Sequence, residues 1–434
     1  MKKKNLFIAL IVPFIMFASC GTEIDYHEIR RNSFSEKLDG GVAVIFSSDQ
    51  RGRLNKNFYY LTEMDESSLV MVITGCEEPQ FKLFAYQEQE GVMPVARLGD
   101  YLLPLLEESP HLWLFNSDRE PLAELLGIDL SEIEAEISSP DYIFYQLREI
   151  KDELELEIIT RATDITVQAY LKVLDSLRPG VTEQEIIDYF RALHLDLGAE
   201  GTAHIQAGSG VNGTEIHARA SQKVIEDGEL VVFDTGCWYR RYTTDISRTI
   251  PAGGKFTEAQ RDIYNLVLKA QKAGIELMVP GSIMRDVQNV VENIILEGLL
   301  ELGLITDIES PWQRRLYIVH GYYHYIGLDI HDVYSLMARE TATKSYEPGM
   351  VMTLEPGLYF PPTLLDNKPS RGSVVPDDEE WDAFREATME NFLRYVNNGV
   401  RIEDVILITE NGNRVLSDGV PREKEDVEAY MAAR

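Results

Sequence analysis

The sequence predicts an α/β chain in which a small α/β domain precedes a larger α+β domain made of two similar halves. Three observations predict it. The 434 residues exceed the roughly 250–300 that one hydrophobic core serves, so two domains are expected. Residues 24–148 alternate short β-rich runs with amphipathic stretches. Residues 151–434 pass twice through one pattern, a helix, a Pro-Gly break, a second helix and then strands.

Composition narrows the function classes first. With 44% apolar and 26% charged residues the chain is an ordinary folded protein. Its 72 acidic against 41 basic residues give a formal net charge of −31. That excludes general affinity for nucleic acid or an anionic membrane, since phosphate binding needs a basic face.

At the N-terminus, Lys2-Lys3-Lys4 precede an apolar run from Leu6 to Ala18, then Ser19 and Cys20. A basic start with so short an apolar stretch reads as a signal peptide over residues 1–20, not a spanning helix. Phe17-Ala18-Ser19-Cys20 resembles a bacterial lipobox, in which the cysteine is lipidated and becomes the first residue. The expectation is an exported cell-envelope lipoprotein, periplasm-facing or anchored in the outer membrane, with Cys20 as its membrane tether. After it only Cys76 and Cys237 remain, so neither a disulfide scaffold nor a Cys-rich zinc site is available.

In the first domain, Val42–Phe46, Leu69–Thr74, Phe81–Ala85 and Leu112–Phe115 read as strands, and Tyr101–Glu107 and Leu122–Leu126 as short helices. A charged helix starting near Lys151 opens the second. There Pro179-Gly180 leads into Thr182-Glu-Gln-Glu185, a capping box, and a helix with Ile186, Ile187, Phe190, Leu193 and Leu197 on one face. Pro280-Gly281 then leads into a helix carrying Ile283, Val287, Val290, Val291, Ile294 and Leu299. Strands are expected at Leu230–Thr235 and Tyr242–Ile250 after the first unit, and at Leu316–Val319 and Val351–Leu354 after the second. Two such halves suggest a pseudo-twofold domain with its site at the seam. Residues 361–398 read as an irregular insert with a helix near Trp381–Tyr395.

The chemistry concentrates in four segments. In Val231-Val-Phe-Asp234 and Thr244-Asp245-Ile, two aspartates eleven residues apart flank a polar turn, so a hairpin sets them side by side. Aspartate is depleted in strands, and two bare carboxylates there repel until one takes a proton or a cation intervenes. Three of the eight histidines, His320, His324 and His331, fall within twelve residues among aromatics and glycines. Imidazole is the commonest neutral metal ligand and proton shuttle near neutral pH. Met352-Thr-Leu-Glu355-Pro-Gly sets a glutamate at the end of an apolar strand. In Gly399-Val-Arg401-Ile-Glu403-Asp404, Arg401 and Glu403 share a face of a strand, where the arginine would orient the carboxylate.

The order Asp-x10-Asp, His-Gly-x-x-His, Leu-Glu-Pro-Gly and Arg-Ile-Glu-Asp resembles the pita-bread metallopeptidases, specifically the Xaa-Pro aminopeptidase (aminopeptidase P) and prolidase family. Lys151-Asp-Glu-Leu-Glu-Leu-Glu-Ile is similar to the family's interdomain helix, and Asn57-Phe-Tyr-Tyr-Leu-Thr to its creatinase-like N-terminal domain. The resemblance implies a creatinase-like domain at 24–148 and a pita-bread catalytic domain at 151–434. It implies that Asp234 chelates one divalent ion, that His324 and Glu355 hold a second, and that Asp245 and Glu403 bridge the pair. Four carboxylates and a neutral imidazole sum to −4, matching two divalent ions. Oxygen-rich ligation suits Mn²⁺ best, with Zn²⁺, Co²⁺ and Fe²⁺ also accommodated. His217, His331 and His320 match further active-site histidines, which hydrogen-bond the reacting group and move protons.

The implied reaction is hydrolysis of the bond between an N-terminal residue and a following proline by a metal-bridging hydroxide. Peptides with proline second would be the substrates, and a homo-oligomer, dimer or tetramer, the assembly. Prolidase, acting on Xaa-Pro dipeptides, is the near alternative: residues 361–398 are similar to its longer segment, and Arg394 matches its carboxylate-binding arginine. A non-catalytic pita-bread binding module is the distant one, although such modules lose ligands and this chain keeps all five. Between His320 and His324 stand Gly-Tyr-Tyr, where the family more often has Gly-Leu-Ser or Gly-Leu-Gly.

Overall fold

In the computed structural model the described residues are 24–76, 78–219, 221–333, 343–369 and 374–434, and the leader with Cys20 lies outside them. Among the described residues no helix is long and apolar enough to cross a membrane.

The first part comprises α1 (Tyr26–Glu36), β1 (Val42–Phe46), α2 (Lys56–Thr62), β2 (Leu69–Thr74), β3 (Phe81–Ala85), β4 (Met93–Pro94), α3 (Leu98–Glu108), β5 (His111–Leu114), α4 (Arg119–Leu126), β6 (Glu136–Ser138) and α5 (Asp141–Glu149). The strands form one sheet in the order β4-β3-β2-β1-β5-β6. Central β1 is buried along its whole length. Val42, Val44 and Phe46 join one core with Val72, Leu98 and Leu112, while Ala43 and Ile45 join another with Phe34 and Phe58. Covered on both faces, such a strand reads as a continuous apolar run rather than an alternating one.

The second part begins with α6 (Glu153–Ser176) and α7 (Glu183–Asp196), then β7 (Gly201–Ser209), β8 (Leu230–Tyr239), β9 (Tyr242–Thr243) and β10 (Ile246–Pro251). It continues through α8 (Glu258–Leu277), α9 (Met284–Glu301), α10 (Pro311–Tyr317), β11 (Val351–Leu354), β12 (Gly357–Tyr359) and α11 (Asp378–Tyr395). It ends with β13 (Gly399–Arg401), β14 (Asp404–Thr409), β15 (Gly412–Val415) and α12 (Lys424–Ala433). Capping boxes Asp152/Glu155, Thr182/Glu185 and Thr257/Gln260 open α6, α7 and α8 by pairing backbone N–H groups that a helix start leaves unmet. The two Pro-Gly breaks lie between α6 and α7 and between α8 and α9, and Gly180 and Gly281 take φ values of +98° and +86°. Only glycine adopts these without a Cβ penalty.

Strands β10, β8 and β7 form one sheet, with β9 on β8; β11, β14 and β15 form a second, and β12 and β13 pair separately. A bridge between Ser247 and Glu403 sews the first sheet to the last strands. Thr249 Oγ1 strengthens that seam by donating to the Arg401 carbonyl and accepting its N–H, both at 3.0 Å.

Three expectations change here. Leu316–Val319 is not a strand: Pro311 at the first turn seeds α10, which buries Trp312 and Leu316 four residues apart. Asp234 faces Ser247 across the ladder rather than Asp245, which precedes β10 and lies diagonal to it. The strand expected through Gly399–Ile408 is interrupted at Ile402-Glu403, where the chain passes from β12 to β11 as partner.

The segment carrying His331 is anchored to the first part. Asp332, 1% exposed, accepts from Lys151 Nζ at 2.9 Å and from the Arg148 guanidinium. Arg148 also donates to Asn57 Oδ1 at 2.7 Å, and the Lys151 N–H to the Gly349 carbonyl at 2.9 Å. Asp332→Ala leaves two buried cations short of their shared anion. It should cost about 3–5 kcal/mol in urea unfolding; a loss under about 1 kcal/mol would show that both cations find other partners.

Candidate metal centre

The apolar start of β8, Leu230 to Phe233, is buried and draws Asp234 inward with it, to 8% exposure. Side chains alternate along a strand, so Asp234 and Gly236 share a face, with Ser247 opposite the first. Asp245 reaches the same face diagonally, across Gly236. No larger residue fits there, since a Cβ on Gly236 would lie 1.8 Å from the Thr244 carbonyl oxygen.

The other side comes from later segments. The stretch 322–326 runs beside β11: Thr353 N–H donates to the His324 carbonyl at 2.8 Å, and Glu355 N–H to that of Tyr322 at 2.7 Å. Glu403 N–H donates to the Ser247 carbonyl at 3.0 Å. These backbone bonds bring His324, Glu355 and Glu403 to Asp245. His324 Nε2 lies 3.7 Å from Asp245 Oδ2, 3.7 Å from Glu355 Oε1 and 3.5 Å from Glu403 Oε1. Its Nδ1 is 3.2 Å from the Tyr325 carbonyl, which places the ring proton there and turns the Nε2 lone pair to the carboxylates.

All nine expected site residues line one cavity of about 300 Å³, together with Ile216, Gly321 and Tyr323. The His331 ring centroid is 4.3 Å from that of His324. His320 Nε2 is 3.1 Å from Tyr359 Oη, and His217 Nδ1 is 3.4 Å from Gln206 Nε2. The loop bearing His217 is held by buried Glu183, which accepts from the Ser209 N–H and hydroxyl, both at 2.8 Å, and from Asn212.

Two placements differ from expectation. Arg401 does not pair with Glu403. It donates to Asp234 Oδ2 at 2.7 Å, to Tyr359 Oη at 2.8 Å and to Ser247 Oγ at 2.8 Å, and Ser247 passes the contact on to Glu403 Oε2 at 2.9 Å. A guanidinium fork is wide enough to serve several acceptors, so one residue positions both carboxylates. Arg394 does not line the cavity; it is half exposed, 3.8 Å from Asp262 and stacked on Tyr395.

Sequence reasoning also missed His204 and Gln206. His204 Nε2 lies 3.1 Å from Asp234 Oδ1 and 2.8 Å from Asp245 Oδ1, and Gln206 Nε2 donates to Asp234 Oδ2 at 2.9 Å. The available signal was their two-residue spacing in a strand that runs just before the aspartates.

Burial by itself raises the carboxyls of Asp234, Asp245 and Glu355. Arg401, then His204, overcome it at Asp234 and hold that group well below the usual carboxylate range. Asp245 and Glu355 are raised, by burial and then by the Glu403 charge. At His324 burial opposes the cation, but the neighbouring carboxylates of Glu403, Glu355 and Asp245 push it up to about 9. His331 is pushed down to about 4 by burial and then by the charge of His324. The cluster therefore cannot hold its full negative charge without cations.

Divalent ions fit this donor set. The ligand atoms of His204, Asp234 and Asp245 lie within 4.8 Å of one another, and so do those of Asp245, His324 and Glu403. Asp245 Oδ1 and Glu403 Oε1 are buried and accept no hydrogen bond, as an oxygen reserved for a cation would be.

The pattern of metallopeptidase family M24 matches residues 157–410. The chain is similar to Xaa-Pro aminopeptidase of Escherichia coli (strain K12), 33% identical over 93% of this chain and 97% of that one. Among solved structures it is similar to proline aminopeptidase P II from Yersinia pestis, with TM-score 0.79 and 28% identity over 94% of this chain and 99% of that one. It is likewise similar to Zn-substituted E. coli aminopeptidase P in complex with product, with TM-score 0.79 and 27% identity over 94% and 98%.

In the metal-free protein, folding binds protons wherever a folded group sits above its unfolded value. His324, 6.5 unfolded and about 9 folded, contributes stability that is complete below pH 6.5 and lost as pH rises through 9. Raised Asp245 acts in the same direction. The melting temperature of metal-free protein should therefore fall between pH 6.5 and 9, while affinity for divalent ions rises as protons leave the ligands. A melting temperature independent of pH across that window would show that the carboxylates do not hold an imidazolium.

Proposed function

The chain belongs to metallopeptidase family M24, and from that membership we propose that it is a two-metal Xaa-Pro aminopeptidase, cleaving an N-terminal residue from a following proline. The observation that carries the reading is the pair of donor groups that share Asp245, with the oxygens of Asp245 and Glu403 that accept no hydrogen bond among their members. Asp234, Asp245, His324, Glu355 and Glu403 would hold the ions. Four carboxylates favour Mn²⁺ or a similar hard ion. When bound, the two ions polarise the scissile carbonyl and lower the pKa of water enough for attack near neutral pH.

The chain's own residues do the rest. Arg401 and Gln206 fix Asp234, and Ser247 fixes Glu403. His331 stands in the cavity beside His324, placed as a group that relays protons must be. It and His217 face the cavity where a departing proline nitrogen needs a proton. Proline lacks the N–H that extended-strand binding uses, and a site that grips the amine and the carbonyl does not require it.

Aminopeptidase is favoured over dipeptidase by the cavity's cations. Among its described lining residues Arg401 is the guanidinium present, and it is engaged by Asp234, while Arg394 points elsewhere. No described lining guanidinium is then left to hold the free carboxylate of an Xaa-Pro dipeptide. The leader adds location: we read the protein as a cell-envelope lipoprotein tethered through Cys20.

Purified protein should cleave Xaa-Pro-Yaa peptides faster than Xaa-Pro dipeptides. It should lose activity on chelation and regain it with Mn²⁺; full activity after exhaustive chelation would overturn the reading. Glu403→Ala should reduce kcat by at least about 10³-fold, the removal of a ligand to both ions. In cells, Cys20→Ser should move the protein from the membrane to the soluble fraction with its peptidase activity intact.

A further inference from the structure

We propose that His204 is a sixth protein ligand, supplying an imidazole to the ion on the Asp234 side and turning that half of the centre from Mn²⁺ toward Zn²⁺ or Co²⁺. This rests on the two-metal reading and adds to it a residue and a selectivity.

Four observations carry it. Asp234 has one open oxygen. Its Oδ2 accepts from Arg401 at 2.7 Å and from Gln206 at 2.9 Å, which leaves Oδ1 as its donor. An ion on this side is thus short of a ligand that a chelating carboxylate would give, and His204 stands at that gap.

The second observation is spacing. His204 Nε2 is 3.1 Å from Asp234 Oδ1 and 2.8 Å from Asp245 Oδ1. Two donors about 2.1 Å from one ion sit about 3.0 Å apart at a right angle and about 3.4 Å apart in a tetrahedron. Both His204 separations are close to those of ligands sharing one ion, and all three donor groups lie within 4.8 Å of one another.

Third, hydrogen bonding alone does not account for the contact. One ring nitrogen carries one proton and serves one acceptor well. Nε2 bonds Asp234 Oδ1, and Asp245 Oδ1 is buried and accepts nothing despite its 2.8 Å approach. Ring Nδ1 is buried without a partner as well, so among the described residues nothing on the far side of the ring holds it in place.

Fourth, the backbone is shaped to deliver this side chain. The register of β7 on β8 shifts between Thr202 and His204, a bulge that re-aims the residue following it. The residue then opposite is Gly236, and a Cβ there would come within 3.0 Å of His204 Cε1. The ring lies across the glycine and reaches the diagonal Asp245.

An imidazole in place of a carboxylate oxygen leaves the ligand charge unchanged at −4 and softens the donor set. Nitrogen donors suit Zn²⁺, Co²⁺ and Fe²⁺, and all-oxygen sets suit Mn²⁺ and Mg²⁺. The two ions would then each have one histidine, His204 on one side and His324 on the other.

The test counts ligands and ions instead of turnover. Wild-type protein loaded with two Zn²⁺ per chain is examined by zinc K-edge X-ray absorption. One imidazole per zinc on average is expected, and one half per zinc would overturn the proposal. Equilibrium dialysis with elemental analysis compares wild type with His204→Gln, which keeps a hydrogen-bonding side chain but removes the ring nitrogen. The variant should bind one Zn²⁺ as before and the second at least about tenfold more weakly, with Mn²⁺ affinity changed less. A variant that binds the second Zn²⁺ equally or more tightly would show His204 to be a displaceable counter-ion. Wild type unable to hold two ions would instead overturn the two-metal reading itself.

Discussion

Four carboxyl groups taken out of water in one place cannot all stay ionised unless positive charge comes with them. This constraint shapes the second half of the molecule. Asp234, Asp245, Glu355 and Glu403 are buried around a single cavity, drawn from segments up to 169 residues apart in the sequence, and no packing of apolar residues would assemble them. Backbone bonds do so instead. The Ser247–Glu403 bridge and the pairing of residues 322–326 with β11 carry each carboxylate to the others and leave the side chains free to face inward.

The protein supplies part of the balancing charge itself and puts it on the periphery. Arg401 neutralises one oxygen of Asp234. On the opposite face of the same segment Asp404, fully buried, is enclosed by Arg248 and Arg422 at 2.6 Å each, Ser417 at 2.6 Å and Gln271 at 2.7 Å. Arg-Ile-Glu-Asp thus has two jobs divided by strand alternation. Arg401 and Glu403 turn to the cavity, and Asp404 turns away to nail the strand to its support. The satisfied network makes the arrangement stiff, and the unsatisfied oxygens mark where the stiffness is put to use.

Much of this was legible because the segments are locally consistent. β1, β2, β3 and β11 begin and end at the residues their apolar runs mark, and the Thr182 capping box opens its helix as written. The nine expected site residues were found through motif resemblance as much as through chemistry. What escaped was whatever depends on register or on tertiary partners. Leu316–Val319 looked extended because four apolar residues carry no period. Arg401 was assigned to Glu403 because sequence spacing shows shared faces and not which neighbour across the seam competes for a guanidinium. His204 is silent by itself: a lone histidine in a strand acquires meaning only when a bulge and an opposing glycine turn it toward two aspartates.

The Asp332 anchor ties the first part of the chain to the wall of the cavity. His331 is bonded in sequence to a residue whose countercharges, Arg148 and Lys151, are contributed by the end of α5 and the link to α6. Asn57, from α2, steadies that same guanidinium. The two parts are consequently bound to be inherited together: an exchange of the first part for another would have to replace Arg148, or Asp332 would lose a countercharge and the histidine its footing.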